Sequence, residues 1–386
     1  MPTFSQHWRI AGFYFFYYAF VGMFSPYWSL YLKSINFGAI DIAILLSIQP
    51  VMRMIAPNVW GWLADHTGKR QTVILIAATL SAACYVGVFF TTSFWGLFAV
   101  LGTMGFFWSA SMPLVEANTL SYLGSNTAHY GRIRSWGSVG FIVSVVGLGY
   151  AFDYIAIAWL LWAGLVCELG ILVFARQIPK TEVLAHHTDH QPVRQIVFQP
   201  RVLALLSACF LMSAAHGAYY TFYSIYLVDY GYAKSAVGWL WAMGVICEIG
   251  VFFLMPWLGR RFGYTRILLI SFSAAVVRFL LIGWGVDFLV LLLIGQALHA
   301  ASFGSYHAAS VGLIHEFFRG RHQSKGQALF GSLTYGAGGV FGGVASGPIW
   351  QHYGATVLYT CSACMAFAGL LLILWKQRMA STQLAT

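Results

Sequence analysis

Gly61-Trp62-Leu63-Ala64-Asp65-His66-Thr67-Gly68-Lys69-Arg70 is the stretch on which the reading of the fold turns. It is short and polar, closes on a glycine and two cations, and joins two long apolar runs, 39–63 and 71–92. A chain that leaves one such run and enters the next across so few residues makes a tight turn at a water-facing surface. A weaker copy, Trp257-Leu258-Gly259-Arg260-Arg261-Phe262-Gly263, follows at a spacing of 195. Trp62 falls on Trp257, Leu63 on Leu258 and Gly68 on Gly263. The same offset carries Gly22 onto Gly217, Ser29 onto Ser224, Tyr31 onto Tyr226, Leu32 onto Leu227 and Gly131 onto Gly326. The chain therefore contains a parallel repeat whose two copies run in the same sense, related by an axis along the membrane normal.

Around this turn the chain is almost entirely apolar. Of its 386 residues 59% are apolar and 8% charged, with a mean hydropathy of +0.73, where a soluble domain carries about 25% charged residues. That balance excludes a disordered chain, a coiled coil and an ordinary cytosolic enzyme. Twelve apolar runs are long enough to cross a hydrocarbon core of about 30 Å. They lie near 9–32, 39–63, 71–92, 95–122, 129–151, 155–176, 201–227, 235–258, 264–284, 287–318, 326–350 and 354–376. None alternates as a barrel strand does. The first run is long and precedes no cleavage pattern, so it reads as a retained span.

The net charge of +10 belongs to topology, not to nucleic acid. With the N-terminus inside, the 21 Lys and Arg fall overwhelmingly on the inner side, from Arg9, Lys69 and Arg70 to Lys376 and Arg378. Lys33 and Lys234 alone lie outside, while Arg53 and Arg278 lie within the bilayer. Such a bias places both termini in the cytoplasm. Residues 177–200, with His186, His187 and His190, read as a solvated inner connector and not a metal site. The expected organisation is a six-helix bundle over 1–176, the linker, and a second bundle over 201–386. The six cysteines sit in apolar runs, and Cys361-x-x-Cys364 reads as packing. No cofactor or metal is implied. A phosphate-binding Gly-x4-Gly-Lys-Ser/Thr is absent, and His315-Glu316 lacks the second histidine of a metalloprotease helix.

The turn sequence resembles the G-x-L-A-D-x-x-G-K/R signature of the major facilitator superfamily, in its usual place between spans 2 and 3. The resemblance implies that fold: all-α, integral to the membrane, twelve helices in two six-helix repeats. It also implies secondary transport by alternating access. Gly61, Asp65, Gly68, Lys69 and Arg70 become a gating motif, with Asp65 meeting a helix N-terminus, that of span 11, at the inner gate. Three further segments, Tyr130–Gly140, Leu298–His307 and Gly326–Gly336, resemble the phenylpropionate permease branch, a relative of the lactose permease and the nucleoside symporters. The implied partners are a small-molecule substrate, H⁺ and the lipid bilayer, around a functional monomer.

Ionisable groups inside the membrane cost at least about 2.5–3.5 kcal/mol at its centre, so each needs a partner or a watery chamber. Glu116 and Arg134 lie at similar depth in spans 4 and 5. Their spacing matches a Glu and Arg that contact sugar in the lactose permease, which implies a substrate-site role. Arg53 falls on Glu248 under the repeat, an arrangement that places the two opposite each other at one depth. Arg278 lies in span 9 and Glu168 in span 6, where Glu168 either pairs with Arg53 or locks helices. In span 10, His299 shares a helix face with Ser302, Phe303, Tyr306 and Ser310. Where the lactose permease has its proton-exchanging carboxylate, three positions after the matching histidine, this chain has Ser302. The proton then falls to Glu248 first, Glu168 second, with His299 as relay. Substrate contacts are expected from Arg53, Glu116, Arg134, His216, Tyr220, Arg278 and His299, with Tyr18, Trp108 and Asn118 as further candidates. The span 11 glycines read as a surface for rocking between halves. The expected activity is proton-coupled uptake of an aromatic carboxylate such as phenylpropionate at the bacterial inner membrane. A sugar or nucleoside symporter is the alternative within transport; a membrane enzyme and a transport-inactive sensor are the alternatives outside it.

Overall fold

A computed structural model of the chain describes residues 4–124, 129–181, 194–319 and 322–385. The described residues form helices joined by short turns. α1 is Phe4–Ser34, α2 Ala39–Thr67, α3 Arg70–Phe89, α4 Phe94–Leu123, α5 Tyr130–Tyr154 and α6 Ile157–Ala175. α7 is Pro200–Asp229, α8 Lys234–Phe262, α9 Tyr264–Trp284 and α10 Leu289–Phe317. The last stretch of helix, Gly339–Ala385, is broken at Gly354, whose φ of 79° and ψ of −177° are not helical. Gln323–Gly331 and Ser332–Gly338 run directly into it, so the break separates α11, 323–353, from α12, 355–385. Among the described residues ten helices are long and apolar enough to cross a membrane, one of them the segment folded at Gly354. Counting that one as two and adding α1, 31 residues long, gives the twelve spans read from the sequence. The histidines of the expected linker lie outside the described residues.

Contacts divide the chain into two units: Met1–His187 with Ala233–Trp239, and Thr188–Tyr232 with Leu240–Thr386. In the first, the aromatic stripe of α1 is mostly packing. Phe13, Tyr14, Tyr17, Phe20 and Trp28 are buried. The Tyr27 hydroxyl donates to the Val145 carbonyl of α5 at 2.6 Å, giving a buried hydroxyl the partner it requires. Asp153, at the end of α5, accepts from the backbone N–H of Lys234 at 2.8 Å and of Ser235 at 3.3 Å.

Lipid tails are as apolar as leucine, so helices in a membrane associate by close packing, not by the hydrophobic effect. Glycines supply that closeness against matching backbone carbonyls in both repeats. A Cβ on Gly140 of α5 would overlap the carbonyl oxygen of Phe15 in α1. A Cβ on Gly338 of α11 would overlap that of Phe210 in α7, and Phe210 is Phe15 plus the repeat offset. Gly342 meets Ala214 in the same way. Gly338 and Gly342 of span 11 thus seat α11 on α7 within the second unit. Gly61 differs, since a Cβ there meets nothing within 4 Å. Gly61→Ala is therefore expected to leave the melting temperature of the purified protein unchanged or slightly higher, because alanine is the better helix former. Gly338→Leu should lower it by about 5 °C or more. A differential-scanning melt of both variants compares them directly.

The second unit carries two π-helical stretches, Ala300–Ser305 in α10 and Ser332–Gly338 in α11. Such single-turn bulges re-aim the side chains that follow and occur frequently at functional sites. His307 Nδ1, past the first, lies 2.6 Å from the hydroxyl of Tyr335 in the second. Prolines interrupt α1, α2, α4, α8 and α11 without ending them, as neighbouring helices in a membrane allow.

Candidate substrate and proton sites

In the gating motif, α2 ends at Gly68 in the left-handed region, φ 64°, and its repeat Gly263 also has positive φ, 72°. A helix that stops on a left-handed residue and restarts at once needs glycine at that point. Asp65 and Lys69 are exposed, and Arg70 Nη1 donates to Ser121 Oγ at 3.3 Å.

The first unit brings Glu116 and Arg134 together as expected. Arg134 Nε lies 3.6 Å from Glu116 Oε1, the two side chains being 30% and 38% exposed. Arg134 Nη2 donates to the Tyr18 hydroxyl, and its guanidinium lies over the rings of Tyr18 at 4.2 Å and Tyr14 at 5.4 Å. Partial exposure keeps the ion pair weak but leaves the carboxylate and the fork reachable by a polar ligand. Arg53 is exposed and lies 5.4 Å over the ring of Trp108, which stacks on Tyr17 at 4.2 Å. Glu168 is wholly buried, and neither of its carboxylate oxygens has a hydrogen-bond partner among the described residues. Asn118 is turned away from this group, donating to the Pro179 carbonyl at 3.0 Å and accepting from Thr181 at 2.6 Å. It ties α4 to the start of the linker.

The second unit gathers the denser cluster. His299 Nε2 lies 4.0 Å from Glu248 Oε2, and the glutamate side chain is 17% exposed. The imidazole of His299 stacks on Phe303 at 5.2 Å and on Tyr219 at 5.8 Å. His216 stands 6.2 Å from it, with Nδ1 held 2.8 Å from the Met212 carbonyl and Tyr220 and Phe279 against its ring. Arg278 is fully buried. Its Nε donates to the Gly295 carbonyl at 3.2 Å, and its guanidinium lies 4.2 Å over the Tyr219 ring. Its Nη1 and Nη2 have no hydrogen-bond partner among the described residues. The face expected for His299 is split by the π-helical stretch. Phe303 stays with the cluster, but Tyr306 donates to the Cys209 carbonyl at 3.2 Å and Ser310 accepts from Cys209 Sγ at 3.5 Å. Those two hold α10 to α7.

Sequence reasoning passed over Gln296, Phe279 and Trp241. Gln296 is an amide in the otherwise apolar run of α10, three residues before His299, and that spacing was the available signal. Phe279 and Trp241 gave none, since aromatic residues fill every span.

The long apolar helices and the polar clusters they carry are those of a membrane-spanning transporter. The chain belongs to the MFS_1 like family of the major facilitator superfamily, whose model matches residues 7–361. It is 28% identical over 365 residues to the "Probable 3-phenylpropionic acid transporter" of Escherichia coli (strain K12), covering 92% of this chain and 94% of that one. It is 25% identical over 366 residues to the maltose permease of Geobacillus stearothermophilus, covering 94% and 92%. Among solved structures it resembles the nucleoside transporter NupG, with a TM-score of 0.81, 16% identity and coverage of 96% and 98%.

Proposed function

We propose that this transporter takes up a small aromatic carboxylate of the phenylpropionate type together with a proton, by alternating access. The observation that carries this reading is Arg278, a buried guanidinium with two nitrogens lacking partners among the described residues, set among Tyr219, Phe279 and the two histidines. An unpartnered buried charge is costly, and a planar carboxylate is the ligand that a guanidinium fork fits best. The aromatic walls suit a phenyl ring. The similarity to the 3-phenylpropionic acid transporter agrees with it.

Charge balance supplies the coupling. With the Glu116–Arg134 pair set aside, Arg53 and Arg278 balance Glu168 and Glu248. A bound carboxylate leaves one excess negative charge, and protonating one glutamate removes it. Anion and proton then each favour the binding of the other, and that mutual preference is what symport requires thermodynamically. Glu248 is assigned the proton, with His299 as its relay, and Glu168 stands second. Arg53, Glu116 and Arg134 of the first unit and His216 and Tyr220 of the second are assigned further substrate contacts, and Gly61, Asp65, Gly68, Lys69 and Arg70 the inner gate. The chain works as a monomer of two bundles, 1–176 and 201–386, in the bacterial inner membrane with both termini cytoplasmic.

A sugar or nucleoside symporter is the second reading, favoured by the partly exposed Glu116–Arg134 pair, a hydroxyl-binding arrangement. Uptake into proteoliposomes separates the two. With an inward proton gradient, labelled 3-phenylpropionate is expected to accumulate, whereas labelled nucleosides and maltose do not. Accumulation of a neutral solute with no uptake of the acid would reverse the choice.

A further inference from the structure

We propose that Gln296 is the second arm of a carboxylate seat, its amide N–H groups and the two unpartnered guanidinium nitrogens of Arg278 together binding the two oxygens of the substrate carboxylate. The inference rests on the organic-acid reading above and deepens it. Gln296 is completely buried. Its Oε1 accepts from the Tyr219 hydroxyl at 3.1 Å, while its Nε2 has no partner among the described residues. An amide whose oxygen is occupied presents only donors.

Arg278 is brought to the same turn of α10, because its Nε is bonded to the carbonyl of Gly295, the residue before Gln296. Tyr219 joins the two, its ring beneath the guanidinium at 4.2 Å and its hydroxyl on the amide. Arg278 Nη1, Arg278 Nη2 and Gln296 Nε2 are all buried donors without acceptors among the described residues. Leaving a buried donor without an acceptor is costly, and more so when the donor is charged. One acceptor able to serve them together is a carboxylate, with two oxygens and about four lone-pair sites. A lone hydroxyl offers one oxygen and brings a donor of its own. Gly244 lets α8 pack closely on this turn of α10, since a Cβ there would lie 3.2 Å from His299 Cδ2 and 3.4 Å from Gln296 Oε1. The exposed Tyr220, 37% accessible, has its ring 6.0 Å from Trp241 and edge-on to Phe303 at 6.4 Å, at the margin of the cluster.

The test is calorimetric binding of 3-phenylpropionate and of 3-phenylpropionamide to the purified protein and to Gln296→Leu, Gln296→Glu and Tyr219→Phe. The wild type is expected to bind the acid well above the amide. Gln296→Leu should weaken the acid by about tenfold to a hundredfold and change the amide by less than about threefold. Gln296→Glu, which sets a like charge in the seat, should weaken the acid further. Tyr219→Phe keeps the ring and frees the amide, so it should weaken the acid several-fold even if the Gln296 variants fail to fold. Acid affinity within about threefold of wild type in every folded variant overturns the seat while leaving the organic-acid reading intact. A wild type that binds no acid overturns both.

Discussion

Replacing Glu248 by glutamine is expected to leave substrate exchange running across a proteoliposome membrane and to abolish accumulation driven by a pH gradient. Glutamine keeps the shape of the side chain and a hydrogen-bonding end near His299, but it carries no exchangeable carboxyl proton. Binding and reorientation then continue, and the proton no longer travels. One pH unit is worth 1.36 kcal/mol per proton, so one-to-one coupling sustains about tenfold accumulation per unit. The variant ratio should fall to about one while counterflow stays within a few-fold of wild type. Of the two candidates, Glu248 is the better carrier because its side chain is 17% exposed, whereas Glu168 is wholly enclosed in this structure. Glu168→Gln should accordingly still accumulate substrate. Undiminished accumulation by Glu248→Gln would remove this residue from the coupling role.

Arg278→Gln is expected to weaken 3-phenylpropionate by more than a hundredfold, and Arg278→Lys is not expected to restore it. Charge-assisted hydrogen bonds are worth about 1.5–3 kcal/mol each, and two guanidinium nitrogens are available for the carboxylate. Lysine retains the charge but not the planar fork. It also loses the Nε bond to Gly295 that aims the group. A melt accompanies the binding measurement, since removing a buried cation unbalances its surroundings. Variants that stay folded and bind the acid within threefold of wild type would show that Arg278 is a structural charge and not a substrate contact.

Much of the site was legible because charge is so expensive in lipid. With only 8% charged residues, each ionisable group inside a span stands out, and the Glu116–Arg134 pair was readable from depth alone. The cluster around Arg278 was readable only in part. Glu248, Arg278, His216 and His299 declare themselves as polar groups in apolar helices. Gln296 is an uncharged amide that lacks the charge signal of its neighbours, and Tyr219 looks like any other member of an aromatic stripe.

The sequence by itself determined the membrane class, the twelve spans and the duplication, because hydrocarbon thickness and backbone hydrogen bonding leave a chain of this hydropathy few alternatives. It also determined the signature turn, where a left-handed residue between two helices has to be glycine. Only the tertiary structure decided that Gly338 and Gly342 of span 11 pack on α7, that Tyr306 and Ser310 leave the face of His299, and that Gln296 joins Arg278 over Tyr219. Those facts depend on π-helical stretches and side-chain directions, and neither follows from helical periodicity, which assumes an unbroken 100° step along each span.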